Sequence, residues 1–160
     1  MIQTKRGDLI LLTKKGQFDI IVHGCNCFCT MGAGIAKQIK LNWPKAYEVD
    51  KKTKYADRSK LGTYSKVEII LQVPDGSGYK NQDLTIINAY TQYDYRGSGQ
   101  LVNLDAVEKI FSQLNKEYAG KKVGIPKIGA GLARGNWDEI VSIIQSVTPN
   151  LNITVVEYGI

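Results

Sequence analysis

Most of the side chains able to do chemistry fall in one short stretch: His23, Cys25, Asn26, Cys27 and Cys29. His23 is the only histidine, and an imidazole with its ordinary pKa near ~6.5 can give or take a proton at neutral pH. It reads either as a catalytic proton carrier beside Asn26 or as a hydrogen-bonded histidine at a strand end. In a fully extended segment His23 and the three cysteines would share one face, as metal ligands do. Zinc sites, however, separate paired cysteines by at least two residues, and the sequence holds no second cysteine or histidine cluster. No arginine follows any of the three thiols closely enough to hold a phosphate during cysteinyl-phosphate chemistry. The cysteines are therefore expected to be small buried hydrophobes, with neither metal nor cofactor required.

Two stretches of small residues suggest a different chemistry. The apolar run Ile20-Ile21-Val22 passes through His23-Gly24-Cys25-Asn26 to Met31-Gly32-Ala33-Gly34-Ile35-Ala36, which opens a helical pattern. Val123-Gly124-Ile125-Pro126 leads similarly through Gly129-Ala130-Gly131-Leu132-Ala133-Arg134-Gly135 towards a helix starting near Asn136. Small residues at a strand-to-helix turn let backbone N–H groups approach a ligand, and the helix N-terminus favours an anion. Position 37 is Lys and position 134 is Arg where a dinucleotide fingerprint has its third glycine, and no Gly-Lys-Ser/Thr marks a P-loop. Arg134 could meet a phosphate or sit exposed on its loop. Tyr90, Tyr93, Tyr95 and Trp137 could stack on a ligand or pack locally.

The elements that must position these groups follow from local pattern. β-Branched and aromatic runs predict strands over 1–5, 18–25, 64–73, 84–90, 122–126 and 153–158. Helices are expected over 33–42, after Pro44, over 104–118 and from Asn136, where Glu139 stands three residues on as a capping-box partner. Asp75-Gly76-Ser77-Gly78 marks an antiparallel hairpin. Alternating strands and helices imply a layered α/β domain with a mixed sheet, and both small-residue turns should open on one crevice at its strand ends.

With 160 residues, 43% of them hydrophobic, the chain can bury one sizeable core as a single domain spanning residues 1–160. The formal charge of +6 is spread along the chain, as expected of a solvated surface and compatible with an anionic ligand; a nucleic-acid partner is not expected. No stretch resembles a secretory or membrane-spanning segment, and an odd number of crowded cysteines is a poor disulfide framework. These features predict a cytoplasmic monomer without membrane attachment.

Taken together, Gly7-Asp8-Leu9, His23-Gly24-Cys25-Asn26-Cys27 running into Met31-Gly32-Ala33-Gly34-Ile35-Ala36, and Ile125-Pro126-Lys127-Ile128-Gly129-Ala130-Gly131-Leu132 resemble the macro-domain family, in order and spacing, over essentially the whole chain. The resemblance implies a three-layer α/β/α sandwich around a mixed, mostly parallel sheet of about six strands. It also implies ADP-ribose as ligand. Asp8 would accept a hydrogen bond from the adenine amino group, with Leu9 beside it. Asn26 would hold the distal ribose, backbone groups of Gly32, Ala33, Gly34 and Ile35 would surround that ribose and its phosphate, and Gly129, Ala130, Gly131, Leu132 and Ala133 would wrap the diphosphate. The histidine before Cys-Asn-Cys is most similar to the branch of ADP-ribose 1″-phosphate phosphatases, which makes His23 and Asn26 the candidate catalytic residues. A branch that cleaves ADP-ribose from glutamate uses a lysine and an aspartate; here the hairpin offers Asn88-Ala89-Tyr90 with no lysine in register, and Ala133 stands in the aspartate's place. A non-catalytic ADP-ribose reader and a hydrolase acting on ADP-ribosylated macromolecules remain the alternatives.

Overall fold

The computed structural model describes residues 2–159. The strands are β1 (Ile2–Gly7), β2 (Ile20–Cys25), β3 (Tyr64–Asp75), β4 (Gly78–Tyr90), β5 (Lys122–Ile125) and β6 (Asn152–Tyr158). The helices are α1 (Leu9–Lys14), α2 (Gly34–Asn42), α3 (Pro44–Lys51), α4 (Leu104–Glu117) and α5 (Trp137–Val147). The strands form one six-stranded sheet in the order β1-β6-β5-β2-β4-β3. All neighbours are parallel except β3, which pairs antiparallel with β4 through the hairpin closed by Asp75 and Gly78. The first expected strand is present from Ile2, and Met1 lies outside the described residues.

Two apolar cores sandwich the sheet. On one face Val107, Ile110, Phe111 and Leu114 of α4 and Ile140 and Ile144 of α5 pack on Val22, Ile125 and Val155. On the other, Leu9, Ile10 and Leu12 of α1, Ile39 of α2 and Ala46 of α3 cover Ile21, Ile86 and Val156. The α/β/α sandwich is therefore the observed architecture. Within β2, alternation sends Ile20 and Val22 to the α4–α5 layer and Ile21 and Cys25 to the α1–α3 layer.

Side-chain caps fix three helices at their starts: Asp8 before α1, Asn103 before α4 and Asn136 before α5. Asn136 accepts from the Glu139 amide at 3.2 Å, one half of the expected capping box. Helix α2 differs, because its N-cap position is Ala33, which has no side chain able to cap it.

Candidate functional site

The turns following β2 and β5 leave the sheet at the carboxyl ends of adjacent parallel strands, so they open on the same edge. They meet there: a Cβ placed on Gly34 would lie 3.7 Å from Leu132 Cδ1. Beside them runs a groove of about 860 Å³ lined by Asp8, Leu9, Gly34, Ile35, Pro126 and Tyr158 among others. Three segments far apart in sequence thus share one wall.

The glycines of the two turns serve different ends. Gly129 has φ +76°, and a Cβ there would come within 2.6 Å of Val102; a Cβ on Gly135 would meet the Gly129 carbonyl at 2.6 Å. Both are required by the protein's own packing. Gly32 and Gly131 are not, for neither has a positive φ and a Cβ on either would meet nothing within 4 Å. At both positions an added side chain would enter open space and not the protein's packing.

The backbone of both turns carries donors without partners. Among the described residues, the amides of Gly32, Ala33, Gly34 and Ile35, and those of Gly131, Leu132 and Ala133, donate to no acceptor within the chain. The uncapped start of α2 adds positive potential beside the first turn.

Asp8 stands at the far end of the groove, with Oδ1 accepting from the amides of Ile10 (2.8 Å) and Leu11 (3.1 Å). Its other oxygen is left for a partner in the groove. Asn26 is 8% exposed and braces its own loop, accepting from the Phe28 amide at 2.8 Å and donating to Thr30 Oγ1 at 2.7 Å. Ala133 is buried, and its carbonyl receives the Leu101 amide, while the Leu132 side chain is 68% exposed.

His23 departs from expectation. Its ring has no exposed surface and lies between the sheet and α3, with Nε2 2.7 Å from Asn88 Oδ1. Asn88 Nδ2 donates to the Ala46 carbonyl, so its oxygen accepts and His23 Nε2 carries the proton. Burial pushes the imidazole pKa down to about 4, partly offset by the Asn88 hydrogen bond, leaving it neutral at pH 7. It does not line the groove. Asn88 likewise reaches no cleft but joins His23 to Ser65, which pairs with the Tyr90 hydroxyl, itself donating to Asp50 Oδ1.

The shared face expected for the cysteines ends with β2. Cys25 and Cys27 are buried and Cys29 turns away at φ +55°. Burial pushes the Cys25 thiol well above the ordinary thiol range and also raises Cys27, so both stay protonated. The loop they belong to is anchored from below by Lys60, whose buried ammonium donates to the Cys27 carbonyl at 2.9 Å. Arg134 is engaged with the Gly97 and Gly99 carbonyls, 3.1 Å from each, which ties the second turn to the 94–100 segment.

No protein-family model matches the chain. It is 34% identical over 158 residues to an uncharacterised 17.5 kDa protein of Enterobacteria phage T4, covering 96% of this chain and 94% of that one. An ADP-ribose 1″-phosphate phosphatase of Candida glabrata is 27% identical over 165 residues, 86% of this chain and 89% of that protein. A DNA ADP-ribosyl glycohydrolase of Mycobacterium tuberculosis is 26% identical over 153 residues, 94% of this chain but 40% of that longer protein. The macrodomain of Mycobacterium tuberculosis DarG superposes with a TM-score of 0.66 at 22% identity, over 98% of this chain and 97% of that one.

The chain has the macro-domain fold. In this fold Asp8, Leu9, Gly34 and Ile35 line a single groove; Gly32 and Ala33 precede Gly34 in the chain without lining it, and of residues 129–133, none of which lines it, Leu132 comes up against Gly34. His23 is set apart beneath the sheet's cover. Sequence reasoning missed Tyr158, which is 89% exposed beside Asp8 and Leu9, because a tyrosine ending a strand carries no signal of its own. It also missed Lys60, whose role depends on contacts 31 and 33 residues away.

Proposed function

We infer that this macro domain binds ADP-ribose in the groove between Asp8 and the two turns, and removes the terminal phosphate of ADP-ribose 1″-phosphate. The observation that carries this reading is the set of amides in both turns without an acceptor in the chain, next to Gly32 and Gly131, where a Cβ would meet nothing within 4 Å. Such donors, fixed before the ligand arrives, suit the oxygens of a diphosphate. Asp8 Oδ2 would accept from the adenine amino group, with the exposed Tyr158 ring offering a face for the base.

At the other end, water attacks phosphorus and the bond to the C1″ oxygen breaks, giving ADP-ribose and inorganic phosphate. The chain contributes position and N–H donors aimed at the phosphoryl oxygens, and Asn26 fixes the loop that carries them. His23 is assigned a positioning role. The name of the Candida glabrata relative supports the choice of substrate.

Calorimetric titration with ADP-ribose, followed by phosphate release from ADP-ribose 1″-phosphate, tests both halves. Binding with phosphate release is expected. Binding without release would leave a reader, and no binding would overturn the ligand itself. A second reading, release of ADP-ribose from a modified macromolecule, is favoured by the open surface outside Asn26, where Phe28 is only partly covered. It predicts liberation of ADP-ribose from such a substrate.

A further inference from the structure

Outside the first turn, four aromatic rings gather from three segments. Phe28 packs edge-on against Tyr93 (5.0 Å between centroids), Tyr55 (5.4 Å) and Tyr95 (6.3 Å). Two guanidinium groups lie over these rings: Arg58 3.9 Å above Tyr93, and Arg96 about 5 Å from both Phe28 and Tyr95. The assembly is braced from within, since the Cys27 amide donates to the Tyr93 carbonyl, the Ala56 amide to the Cys27 carbonyl, and the Tyr93 hydroxyl to the Ala56 carbonyl, each at 2.8 Å. Yet Tyr55 and Tyr95 remain 67% and 50% exposed. Rings held in place and left in water form a prepared contact surface.

The charge around them selects the occupant. The segment from residue 51 to 58, which carries Tyr55, exposes Lys51, Lys52, Lys54 and Arg58 against a single acid, Asp57, which pairs with Lys54. Arg96 is paired with Asp94, which leaves the excess positive charge on the Tyr55 side. Flat aromatic faces with cations between them match unstacked bases joined by phosphates. A duplex keeps its bases stacked inside and cannot offer them to these rings.

We propose that the Phe28, Tyr55 and Tyr95 rings with Arg58 and Arg96 form a docking surface for single-stranded nucleic acid beside the distal-ribose end of the groove. This reverses the expectation from spread charge alone, because the cluster forms only when segments 26–30, 54–58 and 92–96 meet. The placement relative to the ribose rests on the ligand reading above; the docking surface does not.

The test is fluorescence anisotropy of a labelled mixed-sequence single-stranded 12-mer at low salt, with a duplex of the same sequence and an acidic peptide as competitors. The wild type should bind the single strand in preference to both, more weakly as salt rises. Tyr55→Ala and Tyr95→Ala should each weaken it at least about fivefold, and Arg58→Glu should do likewise. All three side chains are exposed, so folding should survive, and ADP-ribose affinity should stay within about twofold of wild type. Wild-type failure to bind the strand, equal binding by the variants, or preference for the duplex or peptide would overturn the proposal. Loss of ADP-ribose binding with strand binding intact would sink only the ligand reading.

Discussion

Replacing Gly131 by alanine separates a glycine kept for the ligand from one kept for the fold. The added methyl group would meet nothing within 4 Å, and the backbone at this position lies outside the left-handed region. Removing glycine's freedom from the unfolded chain should then stabilise the protein by roughly 0.4–1 kcal/mol, raising Tm by about 1–4 °C for a domain of this size. The same methyl group would occupy space through which a phosphate oxygen reaches the turn's amides. Loss of one hydrogen bond to a charged oxygen, about 1.5–3 kcal/mol, corresponds to a roughly 10- to 150-fold loss of ADP-ribose affinity. Gly129→Ala is the contrast: φ +76° and a 2.6 Å approach to Val102 should cost about 1–3 kcal/mol and lower Tm. Thermal melts and calorimetry with ADP-ribose read both quantities. Wild-type affinity in Gly131→Ala, or a fall in its Tm resembling that of Gly129→Ala, would refute the distinction between the two glycines.

Asp8→Asn keeps an oxygen to cap α1 but turns the groove-facing acceptor into a donor, so Tm should hold while ADP-ribose affinity falls about tenfold by calorimetry. Lys60→Met removes the ammonium under the first turn and should weaken ADP-ribose more than ADP, which lacks the distal ribose; equal losses would mean that Lys60 supports the fold alone. Because His23 has a folded pKa of about 4 against an unfolded value near 6.5, the unfolded chain binds more protons between them, and stability is full above pH 6.5 and lost as pH falls towards 4. The loss attributable to His23 should reach at most about 3 kcal/mol, measured by urea unfolding at pH 7 and pH 4.5 as the difference between wild type and His23→Gln.

The sheet was legible because its strands are runs of β-branched residues bounded by turn chemistry, and Asp75 to Gly78 marks its hairpin in plain local terms. Helix α1 was not, since six residues are too few to establish a 3.6 period, and buried Leu9, Ile10, Leu12 and Thr13 read as an apolar run. Asp8, singled out for a ligand, turns out also to be that helix's cap. The convergence of the turns on one edge followed from β2 and β5 being parallel, which the alternation of strands and helices foretold.

His23 shows where the reading ran out. Its neighbours Ile21 and Cys25 share its strand face, so alternation alone sends the imidazole into the α1–α3 layer. What sequence could not disclose is that Asn88 stands directly across in register, from a strand 65 residues later, to satisfy the ring nitrogen. A buried imidazole without that partner would be costly, and with it the pair becomes the start of a polar chain through Ser65 and Tyr90 to Asp50. Burial raises the Asp50 carboxyl, while the Tyr90 hydroxyl and the Lys60 charge pull it back. The chain ends where Lys60 and the Asp50 carbonyl meet Cys29, directly beneath the first turn. The side chains richest in chemical possibility are thus spent on holding a loop still, and the groups facing the groove are backbone amides that every residue but proline carries. A site of that kind leaves its sequence trace in small residues that make room, and Gly32 and Gly131 supply it.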